Sequence, residues 1–166
     1  FAGRFRLFHA NFAELDEVLR VAGVPKLNVL LADLGVASSQ LDDPARGLSF
    51  QACGPLDMRL DPRLTRTAAD IVNTMDEQEL ADLLFNLGGE HFSRKIARAV
   101  CRRRIDKRIE TTEELASLVA SALHVDPHSR KSRIHPATRT FMALRIAVNQ
   151  ELENLERLLS MAPGVL

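Results

Sequence analysis

A short apolar run followed by a long polar turn region, between residues 27 and 62, most constrains the fold of this chain. The run LNVLLAD is apolar at four of its first five positions and ends at Asp33. Such a run is typical of a parallel strand that is covered on both faces. We therefore expect a buried strand at residues 27–33, with Asp33 at its carboxyl end, where open α/β sheets bind their ligands.

The residues after this strand combine backbone turn signals with polar side chains. Glycine, proline and the Asp-Asp-Pro sequence recur there, which is unusual for a core segment and typical of a ligand-binding loop. The turn signals are Gly35, Ser38-Ser39-Gln40, Asp42-Asp43-Pro44, Gly47, Gly54 and Pro55.

Two ordered blocks of sequence resemble a known family. The first is DLGVASSQLDDPARGLSF followed by GPLDMRLDP, and the second is HPATRTFMALRIAVNQEL at residues 135–152. Both resemble segments of the RsmH (MraW) family. That resemblance implies an S-adenosylmethionine-dependent enzyme that methylates N4 of a cytidine in the decoding region of bacterial 16S rRNA, with the small ribosomal subunit as its partner.

The same resemblance implies three contacts to S-adenosylmethionine, at Phe12, Asp33 and Gln40. A carboxylate or amide holds amine groups of such a cofactor, and an aromatic ring covers its adenine face. Each residue has a purely structural alternative: Phe12 as the first core residue of its helix, Asp33 as a loop cap, and Gln40 as a solvated turn residue.

The proton acceptor for the reaction is not assigned. Cytosine N4 is a weak nucleophile that must lose a proton, so an acceptor has to be near it. Asp33 is one candidate, although it is already implied as a cofactor contact. Asp42, Asp43 and Asp57 are the others, each with an alternative role as a turn or capping residue.

Four cationic residues in the matched blocks are candidates for contact with RNA phosphate or a flipped base: Arg46, Arg59, His135 and Arg139. The alternative is that they pair with Asp42, Asp57 or Asp61 and hold the loop in place.

Helical patterns surround the loop. We expect one helix after Asn11 and Glu14 that ends at Gly23, and a long helix from Pro136 to Leu159 that packs on a sheet. Between residues 65 and 133 we expect four short helices and no strand. The first spans residues 67–73, and the second is capped by Thr74 and Glu77 and ends at Gly88-Gly89. The third spans residues 90–104, with Phe92, Ile96 and Val100 facing inward. The fourth is capped by Thr111 and Glu114. Residues 124–135 are expected to form a mobile basic loop.

These elements predict an α/β fold, an incomplete Rossmann-like methyltransferase domain with an inserted all-α subdomain. The expected bounds are residues 1–45 for the first part of the methyltransferase domain, 46–134 for the helical insertion, and 135–166 for the continued domain. Both ends resemble cut ends of a longer protein.

Charge is balanced overall but uneven along the chain. There are 22 basic and 22 acidic residues, yet residues 91–110 carry eight Lys/Arg against two acidic residues. A basic segment on an acidic body is a plausible footprint for RNA, and a solvated helix face is the alternative.

Other classes of protein are disfavoured. Two cysteines without CxxC spacing and five histidines without HxxxH spacing predict free thiols and no metal. The absence of an apolar run of about eighteen residues predicts a soluble, cytoplasmic protein.

The chain also departs from the family. The family's glycine-rich cofactor loop is absent from this sequence, as is the acidic residue that holds the ribose of the cofactor. Ala37 stands where many members of the family have Ser. Two rival interpretations remain: a non-catalytic RNA-binding module on a methyltransferase-like scaffold, and a methyltransferase for another substrate.

Overall fold

The computed structural model describes residues 5–125 and 135–166, which divide into two compact units. The first unit comprises residues 1–35 and 150–166, and the second comprises residues 36–149. The insertion predicted at 46–134 lies inside the second unit, which also includes residues 36–45 and 135–149. The loop predicted at 124–135 falls largely on residues 126–134, which lie outside the described residues.

The first unit is built from a 3₁₀ turn and two helices. The turn Phe12–Glu14 leads into α1 (Leu15–Ala22), and α8 (Glu151–Val165) packs against both. The predicted capping box is confirmed, because Asn11 accepts from Ala13 and Glu14 accepts from the Asn11 amide. Gly23 ends α1 in the left-handed conformation, with φ 66°, as predicted.

The strand predicted at residues 27–33 does not form. Within the described ranges there is no strand, and a single bridge joins Pro55 to Thr111. The side chains of Val29 and Leu31 are 77% and 89% exposed, so the expectation of a buried strand is wrong for this structure. The physical reason is that a strand requires a neighbour for its ladder of hydrogen bonds, and no described residue supplies one.

The second unit is helical. After α2 (Ser38–Leu41) and the 3₁₀ turn Pro44–Arg46, its helices are α3 (Ala68–Thr74), α4 (Glu77–Gly88), α5 (Ser93–Asp106), α6 (Thr112–Leu123) and α7 (Thr138–Asn149). α4 packs against α5 and α7, and α5 packs against α3 and α6.

Its core collects the apolar stripes of these helices. The largest side chains that are almost fully buried there are Leu56, Met58, Ile71, Leu80, Leu84, Ile96, Ile109, Leu115 and Leu144.

Several helix ends differ from the sequence expectation. The cap of α6 at Thr111 and Glu114 is confirmed, but α4 is capped by Asp76 rather than by Thr74. Phe92 was expected to face inward. It precedes α5 and is 60% exposed, because the helix begins three residues later than predicted.

The long helix predicted from Pro136 to Leu159 is two helices. Gln150 adopts a left-handed backbone, with φ 50°, between α7 and α8, which interrupts the helical hydrogen bonds. The break follows directly on Asn149, whose side chain is bonded to another segment. Because the described residues form no strand, the expected packing of this segment on a sheet is also absent.

Candidate functional site

The loop of the first matched block is held by caps and by close backbone contacts. The Asp43 side chain accepts from the Ala45 amide and begins the turn Pro44–Arg46. Gly47 and Gly54 pack so closely that an added Cβ would lie 1.9 Å from the Pro55 oxygen and 2.0 Å from the Pro44 oxygen, respectively. Only glycine leaves room for these contacts.

The second matched block is bonded directly to the first. Asn149, at the end of α7, donates from Nδ2 to the Met58 carbonyl at 2.8 Å, and its Oδ1 accepts from the Leu60 amide at 2.7 Å. Met58 is fully buried and has a positive φ of 67°. These two bonds fix a strained turn of the first block against the helix of the second.

A cleft of about 400 Å³ lies between the two blocks within the second unit. One wall comes from residues 41–51 and the other from α7. The α7 residues are spaced by three, four and seven positions, so they share one helix face. The lining residues are Leu41, Asp42, Leu48, Ser49, Phe50, Gln51, Thr138, Phe141, Met142 and Arg145.

Aromatic rings form part of this wall. The Phe50 ring lies on His135, with centroids 4.4 Å apart and planes at 31°, and meets Phe141 edge-on at 4.9 Å. Pairs of this geometry add stability beyond the buried area. Phe50 therefore joins the loop to both the start and the middle of the second block.

The three candidate carboxylates of this loop have different surroundings. Asp57 accepts from Arg59 Nε and Nη2, both at 2.8 Å, and this hydrogen-bonded pair lowers the pKa of Asp57. Asp43 caps the turn and lies 3.8 Å from Arg46. Asp42 lines the cleft and has no hydrogen bond or ion pair with any described residue.

The implied cofactor residues are distributed over both units. Phe12 begins the 3₁₀ turn of the first unit and is 38% exposed, and Asp33 is exposed in the same unit. Gln40 belongs to α2 in the second unit, where its Oε1 accepts from the Ala37 amide at 3.0 Å. An exposed ring, an exposed carboxylate and an amide are chemically suited to an adenosine-containing cofactor.

The four cationic candidates for RNA contact also differ in the contacts that they make. Arg59 holds the loop, since it also donates to the Leu64 carbonyl at 2.8 Å, and Arg46 lies near Asp43. His135 stacks on Phe50. Arg139 is exposed on α7 without an ion-pair partner in the described part of the chain.

The basic segment at 91–110 is partly neutralised. Arg98, Lys107 and Arg108 pair with Glu77, Glu114 and Asp70, while Arg104 donates to the Val72 and Met75 carbonyls at the end of α3. The three cations on α5 that are exposed and lack an acidic partner among residues 5–125 and 135–166 are Arg94, Lys95 and Arg102.

The described residues form neither a metal site nor a membrane-spanning helix. They contain no cluster of three or more His, Cys, Asp or Glu side chains placed to hold a metal ion. None of their helices combines the length and the apolar character needed to cross a membrane.

The cleft itself was not predicted from the sequence. Its α7 residues Thr138, Phe141, Met142 and Arg145 were predicted only as part of a long helix. The available signal was their spacing on one face of α7 inside the matched block. The role of Asn149 was signalled by an amide at the end of an apolar helix, where an unsatisfied polar group is costly.

Comparisons with known proteins agree with the two blocks. The family model described as the MraW methylase family matches residues 1–166. A protein of Syntrophobacter fumaroxidans named Ribosomal RNA small subunit methyltransferase H is 56% identical over 160 residues, which is 96% of this chain and 50% of that protein. Proteins of the same name from Cyanothece sp. and Solibacter usitatus are 49% and 48% identical, over 96% and 98% of this chain and 50% and 54% of their own lengths.

The chain spans about half the length of these curated relatives. The match of the family model over all its residues, together with these identities, establishes that this chain belongs to the MraW methylase family.

Proposed function

We propose that this chain is part of an S-adenosylmethionine-dependent rRNA methyltransferase that acts on N4 of a cytidine in the decoding region of bacterial 16S rRNA. The observation that carries the proposal is that both sequence blocks of the family line one cleft, with a carboxylate and a guanidinium in its walls. Relatives named Ribosomal RNA small subunit methyltransferase H support an rRNA substrate.

Phe12, Asp33 and Gln40 are proposed to hold the cofactor. The bound cofactor would supply an electrophilic methyl group, so the protein has to bind it and aim the acceptor amine. The exposure of Phe12 and Asp33 supports this assignment, since a ligand contact must be accessible before binding.

We further propose the Rossmann-like architecture, with methyltransferase segments at 1–45 and 135–166 around a helical insertion at 46–134. The family implies a methyltransferase fold of the S-adenosylmethionine-dependent kind. The exposed apolar side chains of Val29 and Leu31 are what a strand would present before its sheet neighbours are in place.

The proposed partner is 16S rRNA in the small ribosomal subunit, which makes the cytoplasm the proposed location. The unpaired cations of α5 support contact with RNA, because exposed Arg and Lys side chains bind phosphate and release counterions.

The first test is calorimetric titration of S-adenosylmethionine into the full-length protein and its Asp33→Ala variant. We expect the variant to lose more than about 1.4 kcal/mol, a tenfold loss of affinity. Glu156→Ala removes the same charge from an exposed position on α8 and is expected to bind as the wild type does.

The rival is a non-catalytic RNA-binding module. It predicts RNA binding through α5 without any binding of S-adenosylmethionine. A folded full-length protein that gives no heat with S-adenosylmethionine would favour this rival over the enzyme.

A further inference from the structure

We propose that the cleft between residues 41–51 and α7 receives the target cytosine, and that Asp42 is the catalytic residue that accepts the proton from its N4 amine. This inference rests on the proposed function, because it assigns the acceptor and the base-binding cleft that the proposed reaction requires.

The other candidate carboxylates already have assigned roles. Asp33 is the proposed cofactor contact. Asp57 is bonded to Arg59 through both of its oxygens, and Asp43 caps the turn that follows it. Asp42 is exposed, lines the cleft and has no partner among the described residues. Its oxygens are therefore available to a ligand that carries a hydrogen-bond donor.

The opposite wall of the cleft is chemically suited to the rest of the cytosine ring. Arg145 lines the same cleft from α7, and the rings of Phe50 and Phe141 contribute apolar surface. Cytosine presents the amine donor N4 beside the acceptors N3 and O2. A carboxylate accepts from N4, a guanidinium donates to the acceptors, and aromatic surface contacts the plane of the base.

The Asp42 carboxylate is expected to disfavour the binding of uracil. Uracil has an acceptor oxygen at the position of the cytosine amine, and this oxygen would face the Asp42 carboxylate without a hydrogen between them. Leaving two acceptors opposed in a binding site costs affinity, so the cleft is expected to select cytosine.

Asp42 lies close along the chain to a proposed cofactor contact. Asp42 follows Gln40 by two residues, so their Cα atoms cannot be more than about 7.6 Å apart. A base bound at Asp42 therefore lies near a cofactor bound at Gln40, as methyl transfer requires.

The proposed methyl transfer is a displacement at the methyl carbon. The N4 lone pair forms the new N–C bond, the S–C bond of the sulfonium breaks, and its electron pair stays on sulfur, which becomes neutral. The nitrogen then carries one excess proton. That proton passes to the Asp42 carboxylate and from there to solvent, leaving N4-methylcytosine.

The test compares Asp42→Asn with Asp43→Asn in the full-length protein. The two changes remove the same charge from adjacent positions, and asparagine keeps the capping role of Asp43 because Asn and Asp cap equally well. We expect Asp42→Asn to slow single-turnover methylation of small-subunit rRNA by at least about 100-fold, and Asp43→Asn to stay within about threefold. Asp42→Glu, which keeps a carboxylate, is expected to recover part of the rate.

A second readout measures binding without turnover. Cytidine 5′-monophosphate and uridine 5′-monophosphate are titrated in ligand-observed NMR. We expect the wild type to prefer the cytidine nucleotide by about tenfold or more, and Asp42→Asn to lose that preference. The affinity for S-adenosylmethionine is expected to stay within about twofold in both variants, because neither removes a proposed cofactor contact.

Three results would overturn the inference. The first is an Asp42→Asn rate within threefold of that of Asp43→Asn; the second is equal binding of the two nucleotides by the wild type. The third is a loss of S-adenosylmethionine affinity in Asp42→Asn, which would move Asp42 to the cofactor site. If the wild type binds S-adenosylmethionine but transfers no methyl group to rRNA, the proposed function itself fails and the inference fails with it.

Discussion

The side-chain amide of Asn149 holds the backbone of Met58 in a conformation that methionine rarely adopts. Its Nδ2 donates to the Met58 carbonyl at 2.8 Å, while the Met58 side chain is fully buried and its φ is 67°. A non-glycine residue in this region costs roughly 1–2 kcal/mol. The bond from Asn149 compensates for part of that cost and aligns the turn after the loop with α7.

Replacing Asn149 should therefore destabilise the protein strongly. We expect Asn149→Ala to lower the free energy of unfolding by about 2–3 kcal/mol, because the Met58 carbonyl and the Leu60 amide lose their partner in a largely buried setting. Urea denaturation measures the loss. Gln78→Ala, which removes an exposed amide from α4, should change stability by no more than about 0.5 kcal/mol.

Glycine substitutions should distinguish close packing from backbone strain. Gly54→Ala should cost about 3 kcal/mol, because its Cβ would overlap the Pro44 oxygen, which belongs to the backbone and cannot rotate away. Gly89 has φ +60° and open space around it, so Gly89→Ala should cost only about 1 kcal/mol. Thermal denaturation of both variants checks the order, and equal losses would contradict it.

Acid should weaken the start of α6 through Glu114. Hydrogen bonds from the Glu110 and Thr111 amides and from Lys107 lower the pKa of Glu114 from 4.5 to about 2, the Glu110 amide contributing most. Because the folded-state pKa is lowered, the stabilisation is fully present above about pH 4.5 and is lost as the pH falls toward about 2.

The difference in unfolding free energy between the wild type and Glu114→Gln should accordingly be about 1–2 kcal/mol near neutrality, allowing for solvent screening, and should shrink below pH 4.5. Glu113→Gln changes the neighbouring exposed carboxylate and should show no such trend. Melting curves recorded from pH 7 to pH 2.5 provide the measurement.

The exposed cations of α5 should control the salt dependence of RNA binding. Replacing Arg94, Lys95 and Arg102 together with alanine should make the negative slope of log K against log salt shallower by about 2, because up to three phosphate contacts are lost. Fluorescence anisotropy with a 16S rRNA fragment at several salt concentrations measures it. A control triple variant at Arg20, Arg66 and Arg157 removes the same charge elsewhere, and an equal change in slope there would contradict a role for α5.

Local signals correctly predicted several of the helix ends. The capping boxes at Asn11 and Thr111 and the stop at Gly23 are made by residues within a few positions of one another, so the sequence contains all that determines them. The strand at 27–33 depends on partners that are distant in sequence, and its apolar pattern alone cannot supply them. The break at Gln150 was missed because no glycine or proline marks it.

The candidate site was predictable only in its components. The blocks that contain Asp42 and Arg145 were recognised from their order of residues, but their meeting across one cleft depends on the Asn149 and Phe50 contacts. Which carboxylate of the loop has no partner is likewise a matter of packing. Asp57 and Asp42 are the same type of residue, and they differ in that Asp57 is paired with an arginine and Asp42, among the described residues, is not.

The division of the chain into two units affects the order in which their contacts can form during synthesis. The first unit takes its parts from both ends of the chain, with the Leu27 amide bonded to the Val165 carbonyl at 2.7 Å and Lys26 donating to the Gly164 carbonyl at 2.9 Å. The second unit is continuous in sequence. Synthesis proceeds from the N-terminus at about 5–20 residues per second. The second unit, which contains the cleft, is therefore synthesised before α8, and the contacts of α1 and Leu27 with α8 can form only after the second unit has been made.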